Sequence, residues 1–416
     1  MVLKRLDQAL AEKDRIYAVV TGIGNAGGRP GDAAETETYA QALRQALQDA
    51  DLSVSQIDFV ETLGCGIPAR DRSEIQALQA VFSDRTTPCA LGATLPNLGH
   101  TGAAAGLASI VKTALCLYQE VIPPLTHYRM PAEDILRRNI FHVPTAPQYW
   151  LRDRSAGPRR ACAGLATGGG NSCAVVLEEA SPRLVSGGPA FSNERRFPLG
   201  PAPCSLFVIE GHDRESLMRE LERLARHAAR QDGRHESLDT VARSWHHRHP
   251  PDRSKTQAVA VLAENIASLT HWTAEAREAV ATGTAHRFGA DGGLCYTPAP
   301  AGSGELAFVY PGYGSHYIGM GREVGLHWPE VLRQMDAETA RLKSQCRPEV
   351  FMPQRASWEP GWEDDAGDRI DADPLNPIFG QVTFGGMMTE LMHRFKVTPQ
   401  AVIGYRLGES TALFAM

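Results

Sequence analysis

Short apolar runs alternate with helical periodicity over the first 180 residues. Residues 17–20 are apolar and are followed by glycines from Gly22, which predicts a short strand that ends there. Over residues 36–50, apolar side chains recur at three- and four-residue intervals and predict an amphipathic helix. Residues 57–60 predict a second strand, and residues 75–82 belong to a second helix. This alternation predicts an α/β layered core.

A turn-rich stretch then interrupts the pattern. Residues 186–189 and 197–203 are rich in glycine and proline, which marks a domain boundary. Beyond it, residues 205–209 and 257–262 predict two strands. Asp213 is placed to cap a helix from Glu215, and residues 273–281 predict another helix. The middle of the chain is therefore a small αβ unit.

A histidine-rich cluster lies inside this middle segment. Residues 245–250 read Trp-His-His-Arg-His-Pro, a composition that suggests either a metal or nucleotide site or a solvated loop. The neighbouring residues are charged and rich in proline. The sequence therefore favours the solvated loop.

The last hundred residues predict two strands and a sharp turn. Residues 306–310 predict a buried strand followed by a glycine turn, and residues 379–397 predict a helix. Residues 401–409 combine a short apolar run with the glycines Gly404 and Gly408, a pattern typical of a strand that turns sharply into a helix and presents a nucleophile. Arg406 stands where that nucleophile would be.

Composition limits the class of protein. The 416 residues, with 43% hydrophobic and 22% charged side chains, predict two or three globular domains. A net charge of −6 argues against a nucleic-acid partner. No apolar run is long enough for a membrane span, and the N-terminus does not resemble a signal peptide. We therefore expect a cytoplasmic protein.

The eight cysteines are scattered and form no Cys-x-x-Cys pair. Structural zinc requires closely spaced ligands, so this spacing predicts neither a metal site nor a disulfide framework. The cysteines are expected to act mainly as small buried hydrophobic residues.

Two loops of the first segment are candidates for chemistry. Residues 60–68 place two glycines directly after a strand, where loops commonly meet ligands. Residues 96–106 place His100 before a helix rich in small residues. The sequence leaves open whether His100 contacts a ligand or serves as an ordinary helix cap.

Four motifs follow one another in the first segment: residues 60–66, Asn97 to Thr101, 121–124 and the Gly168–Gly169–Gly170–Asn171 run, closed by residues 176–179. Their order resembles the C-terminal half of a ketosynthase domain from a polyketide or polyunsaturated fatty acid synthase. The resemblance implies a thiolase-like α/β fold of which only the second half is present. The cysteine nucleophile of the family would precede Met1.

Carried over residue by residue, the resemblance assigns three positions of the condensing site. The family's second histidine matches His100, its first histidine matches Leu63, and its lysine matches Leu95. Leucine neither donates nor accepts a proton, so two functions that decarboxylation needs are missing. The resemblance therefore implies a ketosynthase that is not competent.

The final segment resembles the opening of a malonyl-type acyltransferase domain. Its oxyanion glutamine matches Tyr313, its nucleophilic serine matches Arg406, and the elbow backbone N–H is that of Leu407. A guanidinium stays protonated and is not a nucleophile. Arg406 either marks a lost or misread serine or attracts a carboxylate or a coenzyme A phosphate. The family's histidine and its carboxylate-binding arginine would lie beyond Met416.

The two resemblances imply domains at 1–180 (ketosynthase-like), 181–304 (linker domain) and 305–416 (start of the acyltransferase). The chain itself is expected to bind no cofactor. The family's substrates are malonyl-CoA and acyl groups on the phosphopantetheine of an acyl carrier protein. A homodimer or heterodimer through the ketosynthase-like fold is also implied.

Three hypotheses follow. The first is a fragment of a multidomain polyketide or fatty acid synthase that works in acyl-chain assembly. The second is a non-catalytic chain-length-factor or docking subunit that pairs with an active condensing enzyme. The substitutions at Leu63, Leu95, Tyr313 and Arg406 favour the second over an active enzyme. The third, an unrelated α/β hydrolase, is disfavoured because the elbow lacks a serine.

Overall fold

The chain is described by a computed structural model that forms two compact units, Met1–Pro198 with Ala307–Met416, and Leu199–Leu306. The described residues are 1–28, 32–129, 140–166, 170–180, 195–200, 203–230, 237–252, 254–289, 293–299, 304–353 and 361–415. The predicted turn at 186–189, part of the one at 197–203, and two glycines of the fourth motif, Gly168 and Gly169, lie outside these ranges.

Strands and helices alternate in the first unit, as predicted. The strands of the whole chain are β1 Val19–Gly27, β2 Phe59–Thr62, β3 Cys89–Ala93, β4 Val121–Ile122, β5 Phe141–His142, β6 Gln148–Tyr149, β7 Arg160–Ala166, β8 Asn171–Glu178, β9 Ser205–Gly211, β10 Gln257–Ala263, β11 Gly293–Tyr296, β12 Ala307–Tyr310 and β13 Ala401–Gly404. The helices are α1 Leu6–Ala11, α2 Asp32–Asp49, α3 Pro68–Val81, α4 Leu95–Leu98, α5 Ala105–Gln119, α6 Arg214–Ala229, α7 Leu238–Arg248, α8 Ile266–Thr282, α9 Arg322–His327, α10 Pro329–Glu338, α11 Leu342–Cys346, α12 Pro348–Phe351, α13 Trp362–Asp371, α14 Leu375–Arg394 and α15 Leu407–Ala415.

The main sheet of the first unit has six strands in the order β1-β8-β7-β2-β3-β5. Strand β2 runs parallel to β3 and β7, whereas β8 is antiparallel to β1 and β7. A core with α2 and α3 covers one face, and a core around Phe59, Cys116 and Trp150 covers the other. The α/β layered core is thus confirmed, and parallel pairing places the ends of β2 and β3 at the same edge.

Strand β1 does not end at Gly22 as predicted, but continues to Gly27. Gly22 and Gly24 lie under α2, where a Cβ would collide with the Ala46 and Ala42 carbonyl oxygens. Glycine here permits close packing of helix on strand and does not make a turn.

Side chains of α2 also reach the outer edge of β1. Asp49 Oδ2 accepts a hydrogen bond from the Ile23 N–H at 2.9 Å, and Gln45 Oε1 accepts one from the Asn25 N–H at 3.1 Å. Two backbone donors of this edge strand are therefore satisfied within the chain.

The helices after β12 share a core with residues of the preceding sheet region. Tyr149 and Leu151 belong to the same buried cluster as Val331 and Leu332 of α10 and Phe384 of α14. Residues from both ends of the sequence therefore fold around one apolar core.

A buried cluster of charges lies at this junction. Glu120, 8% exposed, accepts hydrogen bonds from Arg333 Nε at 2.6 Å and from the Tyr149 hydroxyl at 3.0 Å. Arg195 Nη2 lies 2.7 Å and Arg159 Nη1 3.4 Å from its other oxygen. Burial opposes the charged form, but the three guanidinium groups outweigh it and hold the pKa of Glu120 well below its usual range.

Strand β12 pairs in parallel with β13, but it is not the buried strand that was predicted. Val309 is 68% exposed and Ile403 is 58% exposed, whereas Tyr310 is buried. The prediction was wrong because β12 and β13 form a sheet of two strands within the described chain, and helix packing covers only one of its faces.

The second unit contains a three-stranded antiparallel sheet in the order β11-β10-β9. Asp213 caps α6 as predicted, since its Oδ1 accepts from the Ser216 N–H at 2.7 Å. Helix α8 begins at Ile266, earlier than predicted, because Asn265 caps it by accepting from the Ser268 N–H at 2.9 Å.

The predicted solvated loop at 245–250 is wrong, since its first four residues belong to α7. Trp245 is 2% exposed and donates its Nε1–H to the Val208 carbonyl oxygen at 3.2 Å. His246 Nε2 contacts the Leu206 carbonyl oxygen at 2.8 Å, and the His249 ring stacks on Trp245 with centroids 3.8 Å apart. The tryptophan anchors the helix on the sheet and keeps the cluster ordered.

All eight cysteines are free thiols. Cys89, Cys116, Cys162 and Cys346 are buried as expected, but Cys65, Cys204 and Cys295 are only partly buried and Cys173 is exposed. Burial raises the pKa of the Cys89, Cys116 and Cys346 thiols to about 12. These three cysteines are therefore protonated, unreactive core residues. In the described part of the chain, we find neither a helix of the length and apolarity that crossing a membrane requires nor a cluster of three metal-ligating side chains.

Candidate functional site

Leu63 and Leu95, the two leucines that the resemblance matches to polar positions of a condensing site, lie side by side. Leu63 follows β2 and Leu95 follows β3, and the Leu95 N–H donates to the Leu63 carbonyl oxygen at 3.1 Å. Leu95 is 6% exposed, and Leu63 is half-buried. The ends of two parallel strands therefore bring these two residues together, and neither side chain can hold or move a proton.

Within the described residues, His100 forms no hydrogen bond with either leucine. It is exposed, in the turn between α4 and a short 3-10 helix at Gly102–Ala104, and its Nδ1 accepts from the Gly102 N–H at 3.1 Å. The contact is local to the turn and caps neither helix, because Thr101 is the N-cap of the 3-10 helix and Ala104 that of α5. The helix-cap alternative is therefore wrong, and no hydrogen bond to His100 Nε2 is found within the described residues.

The glycine loop after β2 has a defined shape. Gly64 and Gly66 adopt left-handed conformations, with φ of +59° and +75°. The four N–H groups of residues 63–66 donate to carboxylates of α3, two to Glu74 and two to Asp71. The loop's geometry is thus determined by acidic side chains and not by the residue at position 63.

Sequence reasoning missed a buried polar network beside this loop. Glu61 is fully buried in β2, and its Oε1 accepts from Lys112 Nζ at 2.9 Å and from the Thr94 hydroxyl. Lys112 also donates to the Ala93 carbonyl oxygen at 2.8 Å, and the Ser109 hydroxyl donates to Thr94 at 3.1 Å. Burial raises the pKa of Glu61 against the effect of Lys112. An acidic residue inside the apolar run of β2 was the available signal.

The sharp turn between β13 and α15 has the geometry of a nucleophile elbow. Arg406 is exposed at its tip and adopts a left-handed conformation with φ of +53°. A Cβ on Gly404 would collide with the backbone of Glu409, and one on Gly408 with the Tyr310 carbonyl oxygen. The predicted strand–turn–helix is therefore confirmed, and both glycines are required by close approach.

The glycine turn after β12 packs against this elbow. A Cβ on Gly312 would lie 2.9 Å from the Tyr405 carbonyl oxygen. Tyr313, next along the turn, is 54% exposed, and Leu407 at the start of α15 is half-buried. The Arg406 guanidinium carbon lies 5.2 Å from the centre of the Tyr405 ring, a cation–π contact that stabilises the positive charge. The arrangement presents a positive charge where a nucleophile is expected.

Comparison with known proteins supports the ketosynthase resemblance. Residues 17–129 match the family "Beta-ketoacyl synthase, C-terminal domain". The chain is 30% identical over 429 residues to a phenolphthiocerol/phthiocerol polyketide synthase of Mycobacterium tuberculosis, covering 99% of this chain and 26% of that protein. It is also 30% identical to polyketide synthase GfsA of Streptomyces halstedii, covering 99% of this chain and 5% of that protein.

Among solved structures, the ketosynthase from module 6 of the bacillaene synthase of Bacillus subtilis aligns with a TM-score of 0.41 at 23% identity, over 66% of this chain and 46% of that one. The chain spans about a quarter of the mycobacterial relative and a smaller share of the Streptomyces one.

Proposed function

We propose that this chain is part of a polyketide synthase that assembles acyl chains from malonyl units on a carrier protein, because residues 17–129 match the beta-ketoacyl synthase C-terminal domain family. In this proposal the chain catalyses neither condensation nor acyl transfer. Its domains are the ketosynthase-like 1–180, the linker 181–304 and the acyltransferase-like 305–416.

The side-by-side leucines Leu63 and Leu95 carry the proposal. Decarboxylation of a malonyl thioester needs groups that stabilise an oxyanion and bind the leaving carboxylate. Neither leucine side chain offers a polar atom, and Leu95, which the resemblance matches to the family's lysine, is buried. His100 remains, but a single histidine does not replace the pair.

The elbow supports the same conclusion for acyl transfer. Covalent transfer requires a nucleophile at the tip, and Arg406 has none. Tyr313 replaces the oxyanion glutamine, and the N–H of Leu407 is the remaining elbow donor. The exposed cation at the tip instead favours binding of an anionic group such as a malonyl carboxylate or a coenzyme A phosphate.

The same substitutions favour a second function, that of a chain-length-factor or docking protein. Such a protein pairs with an active condensing enzyme and contacts a phosphopantetheine-bearing carrier protein. Added to an active condensing enzyme and its carrier, this chain would then change the length of the product.

Incubation of the purified full chain with radiolabelled malonyl-CoA tests the main proposal. We expect no covalent label on the protein, and no labelled carbon dioxide from malonyl bound to a carrier protein. The Leu63→His/Leu95→Lys double variant is the matched comparison, since it restores both polar groups at the strand ends. Stoichiometric labelling of the unmodified chain, or release of carbon dioxide by it, would refute the proposed loss of activity.

A further inference from the structure

The loop of residues 63–66 is held by two carboxylates from one helix. Glu74 Oε1 accepts from the Leu63 N–H at 2.9 Å, and its Oε2 accepts from the Gly64 N–H at 3.3 Å. Asp71 Oδ1 and Oδ2 accept from the next two N–H groups, at 2.9 and 3.1 Å. The two carboxylates lie three residues apart on α3, so each oxygen accepts from one of four consecutive loop N–H groups, and Asp71 Oδ1 also accepts from the Cys65 thiol at 3.3 Å.

The two carboxylates differ in their surroundings. Asp71 is half-buried, whereas Glu74 is 8% exposed and has only backbone N–H groups as hydrogen-bond donors in the described chain. The groups that face Glu74 add no positive charge. They are Asp71 on its own helix, Glu61 on β2, the Tyr39 hydroxyl on α2 and the Cys65 thiol of the loop.

We propose that Glu74 is a proton-dependent latch, a positioning residue that holds the loop at Leu63 and Gly64 when it is ionised and releases one of these N–H groups when it is protonated. An ionised carboxylate accepts at both oxygens, but a carboxylic acid turns one oxygen into an O–H donor that faces an N–H donor. The longer bond, to Gly64, is the one expected to open.

The latch works near neutral pH. Burial raises the pKa of Glu74 to about 7, against the lowering effect of the two loop N–H groups. Asp71 bonds the N–H groups of Cys65 and Gly66, so protonation of Glu74 removes no acceptor from those two donors. The latch acts on the backbone, so it does not depend on the side chain at position 63 or on the proposed loss of activity.

Amide hydrogen exchange of the full chain between pH 5.5 and 8.5 tests the latch. After correction for intrinsic rates, protection of the Gly64 amide relative to the Cys65 and Gly66 amides should fall below pH 7. The fall should reach up to about tenfold per pH unit, because the ionised fraction falls by that factor. The Cys65 and Gly66 amides serve as the internal control, since they bond Asp71.

Two variants separate the latch from ordinary loop stability. Glu74→Gln should make Gly64 exchange fast and independent of pH, because its amide N–H₂ faces a loop donor at every pH. Asp71→Asn should loosen Cys65 and Gly66 while the pH dependence at Gly64 remains. If Glu74→Gln does not fold, a carbon-13 titration of the Glu74 carboxyl in the unmodified chain replaces it. A Gly64 profile parallel to that of Gly66, or amide shifts that do not follow the carboxyl titration, would overturn the proposal.

Discussion

Glu120→Gln perturbs the buried charge cluster at the junction between the sheet and α10. The substitution removes the negative charge that Arg159, Arg195 and Arg333 share, and keeps the size of the side chain. The three arginines are only 3%, 19% and 24% exposed, so their charges cannot rehydrate fully. We therefore expect a large loss of stability in the first unit.

Removing one partner of a buried ion pair typically costs about 3–5 kcal/mol. Arg159 retains Glu179 at 2.6 Å and the Trp150 carbonyl oxygen at 2.6 Å, which limits the loss. Arg195 and Arg333 keep partial access to water. The expected loss is therefore near the lower end, about 3 kcal/mol.

The assay must report on the first unit alone, because the chain has two compact units. Hydrogen exchange at increasing denaturant, measured by mass spectrometry on peptides from β7 and α10, gives that local free energy of unfolding. Glu37→Gln is the matched control, since Glu37 pairs with Arg44 on the surface of α2 and is 73% exposed. The control should change stability by less than about 0.5 kcal/mol.

The pH dependence of this stability difference provides a second test, and the comparison at pH 7 gives the refuting result. The pKa of Glu120 is lowered in the folded chain, so its contribution is present above the pKa of the unfolded carboxyl and is lost as the pH falls. The difference between the unmodified chain and Glu120→Gln should shrink below about pH 4. If Glu120→Gln is no worse than the Glu37→Gln control at pH 7, the charge cluster does not stabilise the junction.

Two further substitutions test the second unit and the elbow. Leu217→Ala, at a fully buried position of α6, should destabilise the second unit by about 2–5 kcal/mol when hydrogen exchange is followed on peptides from β9 and β10. Leu199→Ala, at a 42% exposed position, should change it by less than about 0.5 kcal/mol, and equal effects would contradict the assigned core. Arg406→Gly should be more stable than Arg406→Ala by about 1 kcal/mol in thermal unfolding. Both substitutions remove the charge, but only glycine adopts a φ of +53° without strain. Equal stability of the two variants would argue against a strained elbow.

Local patterns predicted the elements whose determinants are close in sequence. The cap at Asp213 and the helix within α2 depend on neighbouring residues, and the structure confirms them. The glycine spacing of the elbow also predicted its strand and helix, although Gly408 is required by its approach to the distant Tyr310 carbonyl oxygen. The predictions for the end of strand β1 and for the histidine-rich part of α7 were wrong for one shared reason. Glycine packed under a helix and a tryptophan anchored on a sheet depend on partners distant in the chain.

The polar partners of the candidate site were also beyond local reasoning. Lys112 stands 51 positions after Glu61, and no local pattern pairs them. The two positions at Leu63 and Leu95 could be identified by resemblance, but their mutual hydrogen bond requires the parallel pairing of β2 and β3. The shared core of Tyr149 with α10 likewise joins residues separated by the whole second unit.

The α2 side chains at the edge of β1 affect whether the edge strands of two copies of this chain can pair. An exposed strand of nine residues is a template for addition of a further strand, and Ile23 on it is 54% exposed. Asp49 and Gln45 already occupy two of the backbone donors that an incoming strand would use. Removing both acceptors would free the N–H groups of Ile23 and Asn25 to bond a strand from another copy of the chain. Asp49 and Gln45 therefore oppose intermolecular β-pairing at this edge.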